Sequence, residues 1–126
     1  MNASADNLAA DPWPVELRLA DGKTTLIIAW DDGRADELAA EYLRVESPSA
    51  EVQGHRPDEK QTVSGKRDVT IRDVEAVGSY AVRLIFSDGH STGIYTWPYL
   101  RKLADEREAI WGRYLEALAE KGLTRG

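Results

Sequence analysis

The 126-residue chain contains no cysteine. Disulfides, thiolate zinc sites, cysteine-ligated iron–sulfur clusters and thiol nucleophiles are therefore outside its chemistry. Basic residues are in short supply, with 16 Lys and Arg against 22 Asp and Glu and a formal net charge of −6. That balance argues against nucleic acid, whose affinity comes largely from Lys and Arg neutralising phosphates, and against an anionic membrane surface. No apolar run approaches the roughly 20 residues that a membrane helix needs. The start "MNASADNLAADPWP" has neither the basic nor the apolar region of a signal peptide. The expected address is the cytoplasm. Standard reaction motifs are missing too: there is no G-x-x-x-x-G-K-[ST], no G-x-G-x-x-G and no H-E-x-x-H. Ser47, Ser49, His55 and His90 supply the residue types of a Ser–His–acid triad, but nothing resembles a nucleophile elbow. No catalytic constellation is legible, and no cofactor is expected.

What remains is the composition of one domain, large enough for a single core. Residues 1–12 are small, polar and acidic and read as a disordered tail, which leaves 13–126 as the folded part. "WPVELRLA" alternates Trp13, Val15, Leu17 and Leu19 against polar neighbours, and Asp21-Gly22 is a strong hairpin signal. A two-residue loop there pairs Ala20 with Lys23. It sets Leu17 opposite Leu26, Val15 opposite Ile28 and Trp13 opposite Trp30, all on one face.

A phrase is written twice. "WDDGRADELAAEYLR" (30–44) and "FSDGHSTGIYTWPYLR" (86–101) each run from an aromatic through Asp-Gly and a basic residue to Tyr-Leu-Arg. The strand before it repeats as well: Leu26, Ile28 and Trp30 recur 56 positions later as Val82, Leu84 and Phe86. The repeat reads as two similar hairpin units around one core, ahead of a purely functional duplication, because Asp-Gly is what turn chemistry demands at such corners. "ADELAAEYLR" fits a strand and a helix equally, whereas "HSTGIYTW" reads as strand. "VTIRDVEAVGSYAVRLIF" reads as two strands meeting at Gly78-Ser79.

Between the copies, Val45 to Val69 is a long connection almost empty of large apolar residues, the kind that is often functional or mobile. The chain closes in helix. Thr96 is placed as an N-cap ahead of Pro98, and Asp105-Glu-Arg-Glu has capping-box spacing for a second start. Ile110, Trp111, Tyr114, Leu115 and Leu118 form an apolar stripe, and Gly122 is placed to end the helix. The fold class is α+β: antiparallel β-hairpins in a small sheet, with a C-terminal helical segment packed on one face.

Both histidines read two ways. By position His90 is an exposed turn residue, or else it is hydrogen-bonded to the long connection. His55 lies inside that connection, on surface. Tyr95, Trp97 and Tyr99, interleaved with Arg101 and Lys102, read as packing rather than as a stacking platform for bases.

"WDDG…YLRVESPSAEVQGH" followed by "VEAVGSYAVRLIFSDGHSTGIYTWPYL" resembles the gamma-butyrobetaine hydroxylase-like N-terminal domain family, over about Val15 to Leu103. The resemblance implies a stand-alone bacterial member of a family without established function. In the carnitine-pathway oxygenases this domain precedes the catalytic double-stranded β-helix and holds neither its iron nor its 2-oxoglutarate. A similar domain ends some Mrp-type ATPases that handle iron–sulfur clusters. The oxygenase domain carries a zinc held by a C-P-C-x-x-C segment and one histidine. Matched from Leu43-Arg44, those positions are Ser47, Ser49, Val52 and His90 here. Hydroxyls are poor zinc ligands and valine is none, so the resemblance implies a remnant site without its metal, with His90 still near Ser47 and Ser49. The leading expectation is a non-enzymatic accessory module that meets a protein partner through Ser47, Pro48, Ser49, Glu51, Gln53, His55, Arg56 and His90. The alternative is a protein that binds iron or another divalent metal through His90, His55 and carboxylates such as Glu51 or Asp88.

Overall fold

A computed structural model describes residues 12–126. The tail expected at the N-terminus lies, but for Pro12, outside the described residues. Strands β1 (Pro14–Ala20), β2 (Thr25–Trp30) and β3 (Ala35–Ala39) form one antiparallel sheet in that order. Strands β4 (Ile71–Val77), β5 (Ala81–Phe86) and β6 (Ile94–Thr96) form a second. A short helix α1 (Ala40–Val45) continues β3, and α3 (Trp97–Asp105) continues β6. The connection between the halves holds α2 (Ala50–Gln53) and a 3₁₀ turn, Pro57–Glu59, and helix α4 (Arg107–Glu120) closes the chain. The class is α+β as expected, with two three-stranded sheets rather than one. No helix among the described residues is long and apolar enough to cross a membrane.

The doubled phrase is a doubled structure. In each corner the last residue of the middle strand bonds across an Asp-Gly turn. Trp30 N–H donates to Arg34 O (2.8 Å) and Phe86 N–H to His90 O (2.9 Å). The glycines take φ of 88° at Gly33 and 93° at Gly89, a region a β-carbon disfavours. Each aspartate caps its own turn: Asp32 Oδ1 accepts the Arg34 amide at 3.1 Å, and Asp88 Oδ1 the His90 amide at 3.0 Å.

The two copies then exchange partners. Asp32 of the first pairs with Arg101 of the second (2.8 Å), and Asp88 of the second pairs with Arg44 of the first (2.7 Å). The Tyr42 hydroxyl donates to Leu103 O (2.7 Å) and the Tyr99 hydroxyl to Glu46 O (2.5 Å). Reciprocal contacts of this kind are what a two-fold relation between the halves requires. Tyr-Leu-Arg therefore reads its partner from the other copy, with the leucine in the core. Leu26, Ile28, Trp30, Leu38 and Leu43 meet Val82, Leu84, Phe86, Tyr95 and Leu100 in one buried cluster. Burial of each such side chain stabilises by about 1.5–3 kcal/mol.

Several local expectations change. The first hairpin pairs Ala20 with Thr25, Leu19 with Leu26 and Leu17 with Ile28. Its turn is wider than two residues, with positive φ at Asp21, Gly22 and Lys23. Lys23 leaves the ladder because its carbonyl accepts the Ile71 amide (2.9 Å), which ties the hairpin tip to β4. The slip is by two residues, so Leu17 and Leu26 still share a face. A bulge between Pro14 and Glu16 then sets Pro14, not Trp13, opposite Trp30. Val15 and Trp13 are exposed, and the Trp13 ring meets Trp97 edge-on, with centroids 6.3 Å apart.

"ADELAAEYLR" is both strand and helix, whereas "HSTGIYTW" is strand only at Ile94–Thr96. Thr96 does cap α3, accepting the Tyr99 amide. The capping box at Asp105 does not form. Asp105 still belongs to α3, its carboxylate reaches Arg34 (2.6 Å), and Glu106 precedes α4 without a side-chain cap. Leu115 of the expected stripe is exposed, while Ile110, Tyr114 and Leu118 are buried. Gly122 takes φ 66° just past the helix, as a C-terminal glycine does.

Candidate functional site

His90 leaves the second corner pointing inward. It is 8% exposed, so it is not a solvated turn histidine. Its Nε2 lies 2.8 Å from Ser47 Oγ and 3.4 Å from Ser49 Oγ, across more than forty residues of sequence. Ser47 is fully buried and also accepts the Ser49 amide at 3.3 Å. The other ring nitrogen, Nδ1, faces Glu51 Oε2 at 3.9 Å. Glu51 in turn accepts the Thr92 hydroxyl at 2.7 Å.

Room for this contact comes from Gly93. A β-carbon there would lie 2.4 Å from Ser47 Oγ and 3.1 Å from a ring carbon of Tyr95. Gln53 closes the far side by donating to Ser47 O (2.8 Å). Asp88 anchors the corner from below, held by Arg44 and Lys66 at 2.7 Å each. Burial by itself would raise its carboxyl, but Lys66, the His90 amide and Arg44 together hold it well below the usual carboxylate range.

The order Ser47, His90, Glu51 imitates a catalytic triad but cannot act as one. Ser47 has no exposed surface from which to meet a substrate, and 3.9 Å is too long for the orienting hydrogen bond. Nor does the donor set fit a structural zinc. Two hydroxyls and one imidazole are present, and Val52, the fourth implied position, is buried. Among the described residues no three His, Asp or Glu side chains come together as a metal would need.

Of the other expected site residues, Pro48 packs beside Gly93, and Glu51 stands on the surface of the corner. His55 and Arg56 are not brought to His90. The His55 amide donates to Glu59 (2.8 Å), and Arg56 pairs with Asp58 (3.6 Å) and Glu59 (3.2 Å) in a separate exposed turn. Sequence reasoning missed Arg44, Lys66, Gly93 and Thr92. A signal for Arg44 was present, since two copies of Asp-Gly and of Tyr-Leu-Arg allow crossed ion pairs. In the first copy the matching corner residue, Arg34, reaches Asp105 at the end of the other copy's helix. One corner is thus closed by an exposed ion pair and the other by a buried neutral histidine.

His90 makes the fold sensitive to acid. Burial, and then the nearby Arg44 charge, push its imidazole below the ordinary value, although Glu51 and Asp88 oppose them. The unfolded chain therefore binds the proton first, near the ordinary pKa of about 6.5, and stability rises with pH through the interval below it. The contribution is complete above about pH 6.5 and is lost as pH falls through that interval. Urea unfolding of the wild type should show this loss between about pH 7 and 5, and His90→Gln should flatten the slope. An unchanged slope in the variant would place the titration elsewhere.

The fold and corner together define a class: a two-sheet α+β module whose histidine–serine cluster is part of its scaffold. The chain belongs to the family described as gamma-butyrobetaine hydroxylase-like, N-terminal, which it matches over residues 17–101. No curated protein matches it. One solution NMR structure is 40% identical with a TM-score of 0.77, covering 92% of this chain and 91% of its own. A second NMR structure is 39% identical with a TM-score of 0.79, covering 93% and 87%. A crystal structure of a protein with unknown function in the DUF971 family, from Acidithiobacillus ferrooxidans, is 44% identical. It covers 72% of this chain and 91% of its own, with a TM-score of 0.61.

Proposed function

We propose that this chain is a non-catalytic accessory module that recognises a protein partner through the segment from Ser47 to Arg56 and the His90 corner. The partner would belong to iron-dependent oxygenase or iron–sulfur metabolism, the settings in which similar domains stand beside another domain's chemistry. The observation that carries the reading is the division of labour within the segment. Ser47, Ser49 and Val52 are buried and hold it in place, whereas Glu51, with its side chain 66% exposed, and Arg56, at 70%, face outward. A fixed base with Glu51 facing outward, and Arg56 in the neighbouring exposed turn, offers charged side chains of the kind found on the polar rim of an interface.

The test compares affinity capture from the native cell by the wild type and by Glu51→Lys/Arg56→Glu. Both changes are on exposed side chains, so the fold should survive. A partner retained by the wild type and lost by the variant supports the reading, and equal capture by both sinks it. The competing metal reading has less behind it. His55 is in a separate turn, and Asp88 already faces Arg44 and Lys66. Elemental analysis of untagged protein decides between them: one divalent ion per chain would favour the metal reading.

A further inference from the structure

A cavity of about 370 Å³ opens between the long connection and helices α3 and α4, and meets the serine–histidine segment only at Glu46 and Gln53. Its wall carries Lys60 from the connection, Lys102 from α3 and Arg113 from α4. Three elements thus bring cations to one hollow in a chain whose net charge is −6. One carboxylate lines the cavity, that of Glu46, and Lys60 neutralises it at 2.6 Å. Neither Lys102 nor Arg113 has a carboxylate within ion-pair distance among the described residues. A fourth cation, Lys121, donates to the lining hydroxyl of Thr62 at 2.8 Å. The tyrosines of the wall are already engaged, Tyr99 with Glu46 O and Tyr114 with Val63 O, so they supply shape rather than free donors.

We infer that this cavity binds a small multivalent anion, a di- or tricarboxylate or a phosphate ester. Two uncompensated cations on different helices ask for a ligand with at least two negative charges. The planar fork of Arg113 suits the paired oxygens of a carboxylate or phosphate, and Lys102 supplies a point charge beside it. The volume lies at the lower end of the roughly 300–1,000 Å³ of small-molecule pockets, which excludes a large cofactor. Binding also joins α3, α4 and the connection through one ligand. The cavity shares Gln53 with the partner segment, but the inference rests on neither Glu51 nor Arg56, the residues that test that reading.

Titration with citrate and, separately, with inorganic phosphate at low ionic strength, followed by amide NMR, tests it. Saturable shifts are expected at Thr62, Lys102, Arg113 and Tyr114. Lys102→Gln/Arg113→Gln should weaken binding about tenfold or more, whereas Arg18→Gln, on β1 and outside the cavity, should not. Tighter binding of citrate identifies a carboxylate ligand, and tighter binding of phosphate a phosphorylated one. Shifts that fail to saturate with either anion, or a double variant that binds as well as the wild type, would overturn the proposal.

Discussion

Asp88→Ala should destabilise the fold by about 3 kcal/mol, and the matching change Asp32→Ala should cost much less. Both aspartates cap an Asp-Gly turn and both pair with an arginine of the other copy, so local chemistry does not separate them. Burial does. The arginines are alike, Arg44 at 12% and Arg101 at 18% exposed, but Asp88 is 19% exposed against 40% for Asp32. Removing Asp88 strands two cations, Arg44 and Lys66, whereas removing Asp32 strands Arg101 alone. A charge left unpaired in such a site is far more costly than the pair was stabilising. Asp88→Asn keeps an acceptor for the His90 amide and should fall between the wild type and Asp88→Ala. Denaturant midpoints at constant m measure all three. Equal losses at Asp88 and Asp32 would show that the ion pairs are not what distinguishes the corners.

Gly93→Ala should cost about 1–3 kcal/mol by overpacking, although Gly93 has no positive φ to defend. The added methyl would meet Ser47 Oγ at 2.4 Å, with Pro48 and Tyr95 closing the other sides at 3.3 and 3.1 Å. Since Ser47 is fully buried, it has nowhere to retreat. Ser47→Ala on its own removes the closer of the two hydroxyls on His90 Nε2, leaving Ser49 at 3.4 Å, and is destabilising by about 1–3 kcal/mol. Combined, the two changes should cost less than their sum, because the serine oxygen is the atom with which the methyl collides. Additive losses would show that the clash is relieved by backbone movement instead.

The crossed contacts explain why the phrase must be written twice. An Asp-Gly corner satisfies its own turn, but the carboxylate is left pointing at whatever helix packs beneath it. Each copy supplies the arginine that the other copy's corner needs, and each tyrosine supplies a donor for a carbonyl near the end of the other copy's helix. The halves are therefore held by specific polar contacts as well as by the shared apolar cluster. They diverge where one corner carries Arg34 and the other His90, and it is the second that buries its polar groups.

The sequence by itself determined what depends on neighbours along the chain. Period-2 apolar residues placed the strands, Asp-Gly the corners, Thr96 a helix start and Gly122 a helix end, because strand pleat, turn dihedrals and caps are local properties. The resemblance placed His90 beside Ser47 and Ser49. Register was less legible. A two-residue slip in the first hairpin preserves every apolar face, so alternation could not detect it, and the choice was made by Lys23 bonding to Ile71. Asp105 looked like a cap and became the partner of Arg34. Which corner is buried, what Asp88 costs to lose and where Lys60, Lys102 and Arg113 converge were decided only by the tertiary structure. Burial and electrostatic coupling depend on distances between residues far apart in the chain, and no local pattern encodes them.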